Sequence, residues 1–179
     1  MIEVWHRPVQ RWESDGFNSD GFAGERGDFK VRVESYGRTD QFVVRDPAVL
    51  EHLDSRLPRR VLPQITKAFG RRVDGREEYR IACYDSAEGG SLPAHRDNPT
   101  PATRHRVFTI SVHLNPGEYD GGGLRFPEYG DQVYEVEAGT GIVWSCSLLH
   151  EVLPVTRGRR FILGTHYCSG PPQGATVTR

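Results

Sequence analysis

A mainly β fold, a sandwich or jelly roll of short strands with supporting helices, is what this 179-residue sequence predicts, on three observations. From Tyr79 onward the text breaks into short alternating runs: YRIACY, RVFTISVHLN, GLRFP, VYEVE, GIVWSCSL and RRFILGTHYC. Clusters of Gly, Pro and Asp separate them at roughly 10- to 15-residue intervals, which suits a sandwich or jelly roll and not an alternating β-α sheet. Across the whole chain, 20 Gly and 12 Pro favour turns over long helices.

The elements follow in order. Gly16 to Gly27 is polar and Gly-rich, and Phe29 to Val44 alternates around Gly37 as strand, turn, strand. Asp46 followed by Pro47 reads as an N-cap and a first-turn proline, and Val49, Leu50, Leu53 and Leu57 recur at helical spacing. A second helix is expected over Arg60 to Phe69, with Leu62, Ile65 and Phe69 on one face, Pro63 in its first turn and Gly70 at its end. Two short helices would thus pack on a sheet. The Gly121-Gly122-Gly123 run has no Lys-Ser/Thr and helix after it, so a tight hairpin turn is expected there and not a phosphate loop. Trp144, Phe161 and Ile162 read as core, and Cys146 as a small buried hydrophobe. The tail from Ser169 reads as a disordered end.

A chain this long buries roughly 70% of its surface around a single core. One domain over residues 1–179 is expected, with supporting strands and helices in 1–75 and the β core in 78–168. A net charge of -1 lacks the basic footprint of a dedicated nucleic-acid binder. The three cysteines Cys83, Cys146 and Cys168 form no CxxC pair, which argues against a disulfide framework or a thiolate zinc site. The start MIEVWHRPVQRW does not resemble a leader, and no apolar run approaches a membrane span. A reducing, cytoplasmic compartment without a membrane partner is the expectation.

The chemistry begins at Leu92-Pro-Ala-His95-Arg96-Asp97-Asn98. In an extended segment residues i and i+2 share a face, so His95 and Asp97 aim at one point while Arg96 turns away. Such a pair needs a third ligand, to be found among His6, His52, His105, His113, His150 and His166. His150 stands out because it follows the expected strand GIVWSCSLL. Two histidines and one carboxylate make a facial triad whose open positions admit a bidentate 2-oxo acid and dioxygen. The far carboxylate of that acid needs a fixed cation, and arginine has the planar fork that fits it. Arg160 lies ten residues past His150, beyond a turn marked by Gly158, and shares a strand face with Ile162, Gly164 and His166. Asn98 to Arg104 is expected to loop at the site mouth, where Arg104, Arg106 and Arg157 are candidates to meet an acidic group on a substrate.

Five motifs, in order, resemble the 2-oxoglutarate/iron(II)-dependent dioxygenase superfamily of the prolyl 4-hydroxylase type. They are Ile81-Ala-Cys-Tyr84, His95-Arg-Asp97-Asn98, Arg106-Val-Phe-Thr109-Ile-Ser-Val-His113-Leu-Asn115, Gly121-Gly-Gly-Leu-Arg-Phe-Pro127, and His150-Glu-Val-Leu-Pro-Val-Thr-Arg-Gly-Arg-Arg160. The resemblance implies a double-stranded β-helix, iron(II) at His95, Asp97 and His150, and 2-oxoglutarate at Arg160 with a hydrogen bond from Tyr84. Dioxygen would be the second co-substrate and ascorbate an accessory reductant. His113 falls where relatives often carry Tyr beside the distal carboxylate, which leaves co-substrate contact and simple packing both open for it. The substrate class implied is a prolyl or other residue of a peptide or protein, or a small metabolite. Repair-type demethylases carry an Arg-x-Asn-x-Thr-x-Arg run after the last histidine, where this chain has Arg157-Gly-Arg-Arg-Phe-Ile-Leu, and nucleic acid is set aside on that ground. A non-enzymatic metal barrel has no use for Arg160.

Overall fold

The computed structural model describes residues 3–5, 31–32 and 39–170. The strands are β1 (Glu3–Trp5), β2 (Val31–Arg32), β3 (Asp40–Val43), β4 (Gly75–Arg76), β5 (Arg80–Asp85), β6 (Leu92–His95) and β7 (Arg106–His113). They continue as β8 (Asp120–Gly121), β9 (Leu124–Arg125), β10 (Val133–Tyr134), β11 (Gly141–Ser145), β12 (His150–Val152), β13 (Val155–Arg157) and β14 (Arg159–Cys168). An eight-stranded sheet runs β1-β11-β7-β14-β5-β3-β2, with β4 also on β14. Facing it are a four-stranded sheet, β10-β9-β12-β6, and the pair β13-β8. Sheets made of short strands that pair with non-consecutive neighbours make the jelly roll. The strand pair expected around Gly37 is present as β2 and β3, while the turn itself, the Gly16 to Gly27 segment, His6 and residues 171–179 lie outside the described residues.

Strand parity sorts the side chains. On β7, Phe108, Ile110 and Val112 face outward and pack with Val61, Ile65 and Tyr167, so Thr109, Ser111 and His113 turn to the opposite face. That inner face meets a second cluster, in which Ala82, Tyr84, Ile142 and Trp144 of the large sheet touch Leu124, Phe126, Val152 and Val155 of the smaller ones. The inner cluster is the interior of the jelly roll, and it holds the polar residues discussed below.

The two expected helices are one, α1 (Pro47–Phe69). Asp46 caps it, its carboxylate accepting from the N–H groups of Ala48 at 2.8 Å and Val49 at 3.0 Å, and Gly70 closes it with φ 64°. Pro58 and Pro63 both lie inside the helix, not in a first turn. Each removes a helical hydrogen bond, at a cost of about 3 kcal/mol. Leu57, Val61, Ile65 and Phe69 nevertheless recur every four residues along one face and pack on the outside of the large sheet. Their burial, about 1.5–3 kcal/mol for each side chain fully removed from water, is of a size to offset the prolines.

The Gly121–Gly123 run also departs from expectation. Rather than closing a hairpin, it carries the chain from β8, which pairs with β13, to β9, which pairs with β10 and β12. No described helix is long and apolar enough to cross a membrane.

Candidate active site

His95 ends β6 and His150 begins β12, and the two are register partners across that pair of strands. Asp97 follows β6 in a bend held by its own N–H, which donates to the Cys146 carbonyl at 3.0 Å. One ligand atom from each of His95, Asp97 and His150 falls within 4.8 Å of the others. His95 Nε2 is 3.3 Å from Asp97 Oδ1, and His150 Nε2 is 3.5 Å from Asp97 Oδ2. Each imidazole donates from Nδ1 to a backbone carbonyl, His95 to Pro93 at 2.9 Å and His150 to Leu148 at 3.0 Å. With each Nδ1 committed as donor, Nε2 of either ring in its neutral form is left to ligate at the common point, the tautomer a metal requires. Arg96 turns away, as strand alternation predicts, and forks onto Glu128 while donating to the Ser147 carbonyl.

Electrostatics favours a cation at this point. Burial acts to raise the Asp97 pKa, yet the contacts from His166 and His95 and the nearby His150 hold it well below the usual carboxylate range. Burial pushes His150 down and so favours its neutral, ligating form. The Thr109 hydroxyl donates to Asp97 Oδ2 at 2.5 Å and also lies 3.2 Å from Cys146 Sγ. Cys146 is fully buried, as its sequence context predicted, and burial raises its thiol pKa, so it stays protonated.

Arg160 comes from β14 directly opposite Tyr84 of β5, its guanidinium carbon 5.1 Å from the centroid of the Tyr84 ring. Arg160 is 1% exposed and Tyr84 2% exposed. Nε and one terminal nitrogen of Arg160 have no hydrogen-bond partner, nor do either ring nitrogen of His113, the Trp144 indole N–H or the Ser111 hydroxyl. A buried guanidinium lacking a carboxylate is costly. A ligand carboxylate beside Arg160 would satisfy it, and on this observation the residues fit a 2-oxo diacid. Burial and the Arg160 charge push His113 down to about 3, so it is neutral and can donate to that carboxylate from one nitrogen only. Burial likewise raises the Tyr84 pKa, keeping its phenol a donor.

Gly122 makes room for this arginine. A Cβ there would lie 2.9 Å from Arg160 Cδ and 2.8 Å from Val155 Cγ2, at a φ of 68° that disfavours L side chains. Gly122→Ala is expected to cost about 2–5 kcal/mol, as left-handed strain of ~1–2 plus overpacking of ~1–3. It should also weaken 2-oxo acid binding by moving Arg160. Denaturant midpoints and co-substrate affinity check both, and an unchanged midpoint would contradict the packing described.

Sequence reasoning missed Glu77 and, with it, the internal role of Arg106. Arg106, expected as a substrate contact at the mouth, is forked onto Glu77 at 2.7 and 2.9 Å, and His105 Nε2 lies 2.9 Å from the same carboxylate. Arg157, another such candidate, is paired with Asp120 at 2.6 and 3.0 Å. His166 points inward as parity predicts, but between Glu77 and Asp97. No local signal joins Glu77 to residues 28, 29 and 89 positions further along the chain.

The jelly roll and its two-histidine, one-carboxylate cluster define a class, the β-barrel proteins whose donor set suits non-haem iron(II). Residues 79–168, just over half of the chain, match the family model of the 2OG-Fe(II) oxygenase superfamily, and the chain belongs to that superfamily. Iron(II), 2-oxoglutarate and dioxygen are the cofactor and co-substrates that membership brings. A PKHD-type hydroxylase of Synechococcus sp. (strain JA-2-3B'a(2-13)) is 36% identical over 87 residues, 45% of this chain and 38% of the relative. One from Xanthomonas campestris pv. campestris (strain 8004) is 32% identical over 111 residues, 58% of this chain and 42% of the relative. The chain thus spans about two fifths of the length of the curated relatives it matches. In fold it is similar to a Pseudomonas putida prolyl-4-hydroxylase, with a TM-score of 0.63 at 23% identity over 79% of this chain and 78% of that one. A Trichoplax adhaerens prolyl hydroxylase in complex with a hypoxia inducible factor peptide fragment gives 0.59 at 20% identity, over 73% of this chain and 63% of that one.

Proposed function

We propose that this chain is an iron(II)- and 2-oxoglutarate-dependent dioxygenase that hydroxylates an unactivated C–H bond in a residue of a peptide, a prolyl side chain being the class its relatives' names suggest. His95, Asp97 and His150 hold the iron, and Arg160, Tyr84 and His113 hold 2-oxoglutarate. The observation that carries the reading is the buried Arg160 with two unpartnered nitrogens on the inner face that also bears the triad's neighbours. Iron(II), when bound with 2-oxoglutarate and dioxygen, supplies the oxidation: the 2-oxo acid becomes succinate and carbon dioxide, and the second oxygen atom enters the C–H bond.

The chain's own residues do the rest. Arg160 binds the distal carboxylate, and the Tyr84 hydroxyl donates to it in a pocket where burial strengthens each contact. The two Nδ1 bonds fix the histidine rings, and the Thr109 hydroxyl fixes the Asp97 carboxylate. Trp144 and Phe126, 3% and 1% exposed, pack at 5.0 and 6.3 Å from the His150 ring and keep water from that side. The three free cysteines suit a reducing, cytoplasmic compartment.

The test is succinate release by the iron(II)-loaded protein with 2-oxoglutarate and oxygen, in the presence of proline-containing peptides or of free amino acids and small metabolites. Stimulation by peptides supports the proposal. Stimulation by metabolites alone would replace the substrate class, and no succinate above a metal-free control would refute the activity.

A further inference from the structure

We propose that His166, braced by Glu77, is a positioning residue that sets the Asp97 carboxylate for metal binding; this rests on the reading of His95, Asp97 and His150 as the metal site. His166 of β14 and Thr109 of β7 are register partners on adjacent strands. They flank Asp97 from two sides. The Thr109 hydroxyl takes Oδ2 at 2.5 Å, and His166 Nε2 faces Oδ1 at 3.8 Å. With one oxygen covered from each strand, the carboxylate plane has little freedom left.

His166 can do this because its other edge is fixed. Its Nδ1 lies 3.3 Å from Glu77 Oε2. Glu77 is itself immobilised by the Arg106 fork at 2.7 and 2.9 Å and by His105 at 2.9 Å. Its backbone is tied to the same strand: the Glu77 N–H donates to the His166 carbonyl at 2.9 Å, and the Thr165 hydroxyl donates to the Glu77 carbonyl at 2.9 Å. The ring is therefore held by a carboxylate that cannot move away, with its second nitrogen aimed at the only anionic ligand. A histidine placed merely to satisfy Glu77 would need no second nitrogen directed at Asp97. Outer partners of this kind typically hold about 10- to 100-fold in metal affinity.

The experiment measures Co(II) affinity by anaerobic calorimetry on the parent and on H166F, H166L, H166Q and D97A, with the melting temperature of each metal-free protein alongside. Phe and Leu have no N–H; the Gln amide places one near the Nε2 position. H166F and H166L are expected to bind Co(II) about 10- to 100-fold more weakly, and H166Q to recover most of that loss. Two variants without a donor keep the test intact if one of them does not fold. Parent-like affinity in H166F or H166L overturns the proposal, and so does equal weakening in H166Q and H166L, which would mark a packing role. Failure of the underlying reading looks different: the parent and D97A would then bind Co(II) alike.

Discussion

Asp97→Ala is expected to give a folded protein that no longer holds iron(II) and no longer forms succinate. Asp97 is the only anion among the three proposed ligands, so the change removes a metal bond and the charge that offsets the cation. Loss of a partner one shell further out already costs up to about 100-fold in metal affinity, and loss of this ligand should exceed that. The fold should persist because Asp97 contributes to neither apolar cluster. Its structural bond is made by its backbone N–H to the Cys146 carbonyl, which alanine retains. The Thr109 hydroxyl loses its acceptor but keeps Cys146 Sγ at 3.2 Å, so a penalty of only about 1 kcal/mol is expected from that side chain. Metal affinity, succinate formation and the melting curve decide it together. Parent-like succinate formation from a variant with a parent-like melting curve would remove Asp97 from the metal site.

How much of this was legible in the sequence depends on how local each cause is. Strand alternation is local, and it placed Arg160 and His166 inside and Arg96 outside before any contact was known. The jelly roll was legible for the same reason, since the short alternating runs after Tyr79 correspond to β5, β7, β9, β10, β11 and β14. Proline rules are local too, and there they misled: Pro58 and Pro63 signal a break, but the stripe from Leu57 to Phe69 gains its burial from a sheet formed far along the chain. The Gly121–Gly123 run read as a hairpin because local turn chemistry cannot show that β8 and β9 pair with different partners. At the site, His95 and Asp97 were legible as a pair two residues apart, and His150 and Arg160 through their positions at a strand end and beyond a turn. Glu77 was illegible because its partners Arg106 and His166 reach it only after β14 and β7 have come together. The same pairing explains why Arg106, read as a candidate substrate contact just past a loop, is committed to an internal fork.

Arg160→Ala should separate co-substrate binding from metal binding more sharply than any other change. Arg160 supplies no metal ligand, so iron(II) affinity should stay near that of the parent. Its guanidinium is 1% exposed, over the Tyr84 ring and close enough to His113 to depress its basicity. A carboxylate met there is desolvated and paired. Removing one partner of such a pair typically costs about 2–5 kcal/mol, or roughly 30- to 5,000-fold in affinity. Alanine also leaves a gap beside Gly122, which lies against the arginine stem, and some loss of stability will accompany the loss of affinity. The neighbouring arginine supplies the control. Arg159 is exposed on the opposite face and its Nε donates to Asp85 at 2.9 Å, a surface pair of about 0–1 kcal/mol. Arg159→Ala should therefore change neither affinity appreciably. With iron(II) and 2-oxoglutarate affinities measured side by side on both variants, equal co-substrate affinity in the parent and Arg160→Ala would dismiss the clamp. Metal affinity lost in parallel with co-substrate affinity would place Arg160 in the support of the metal site instead.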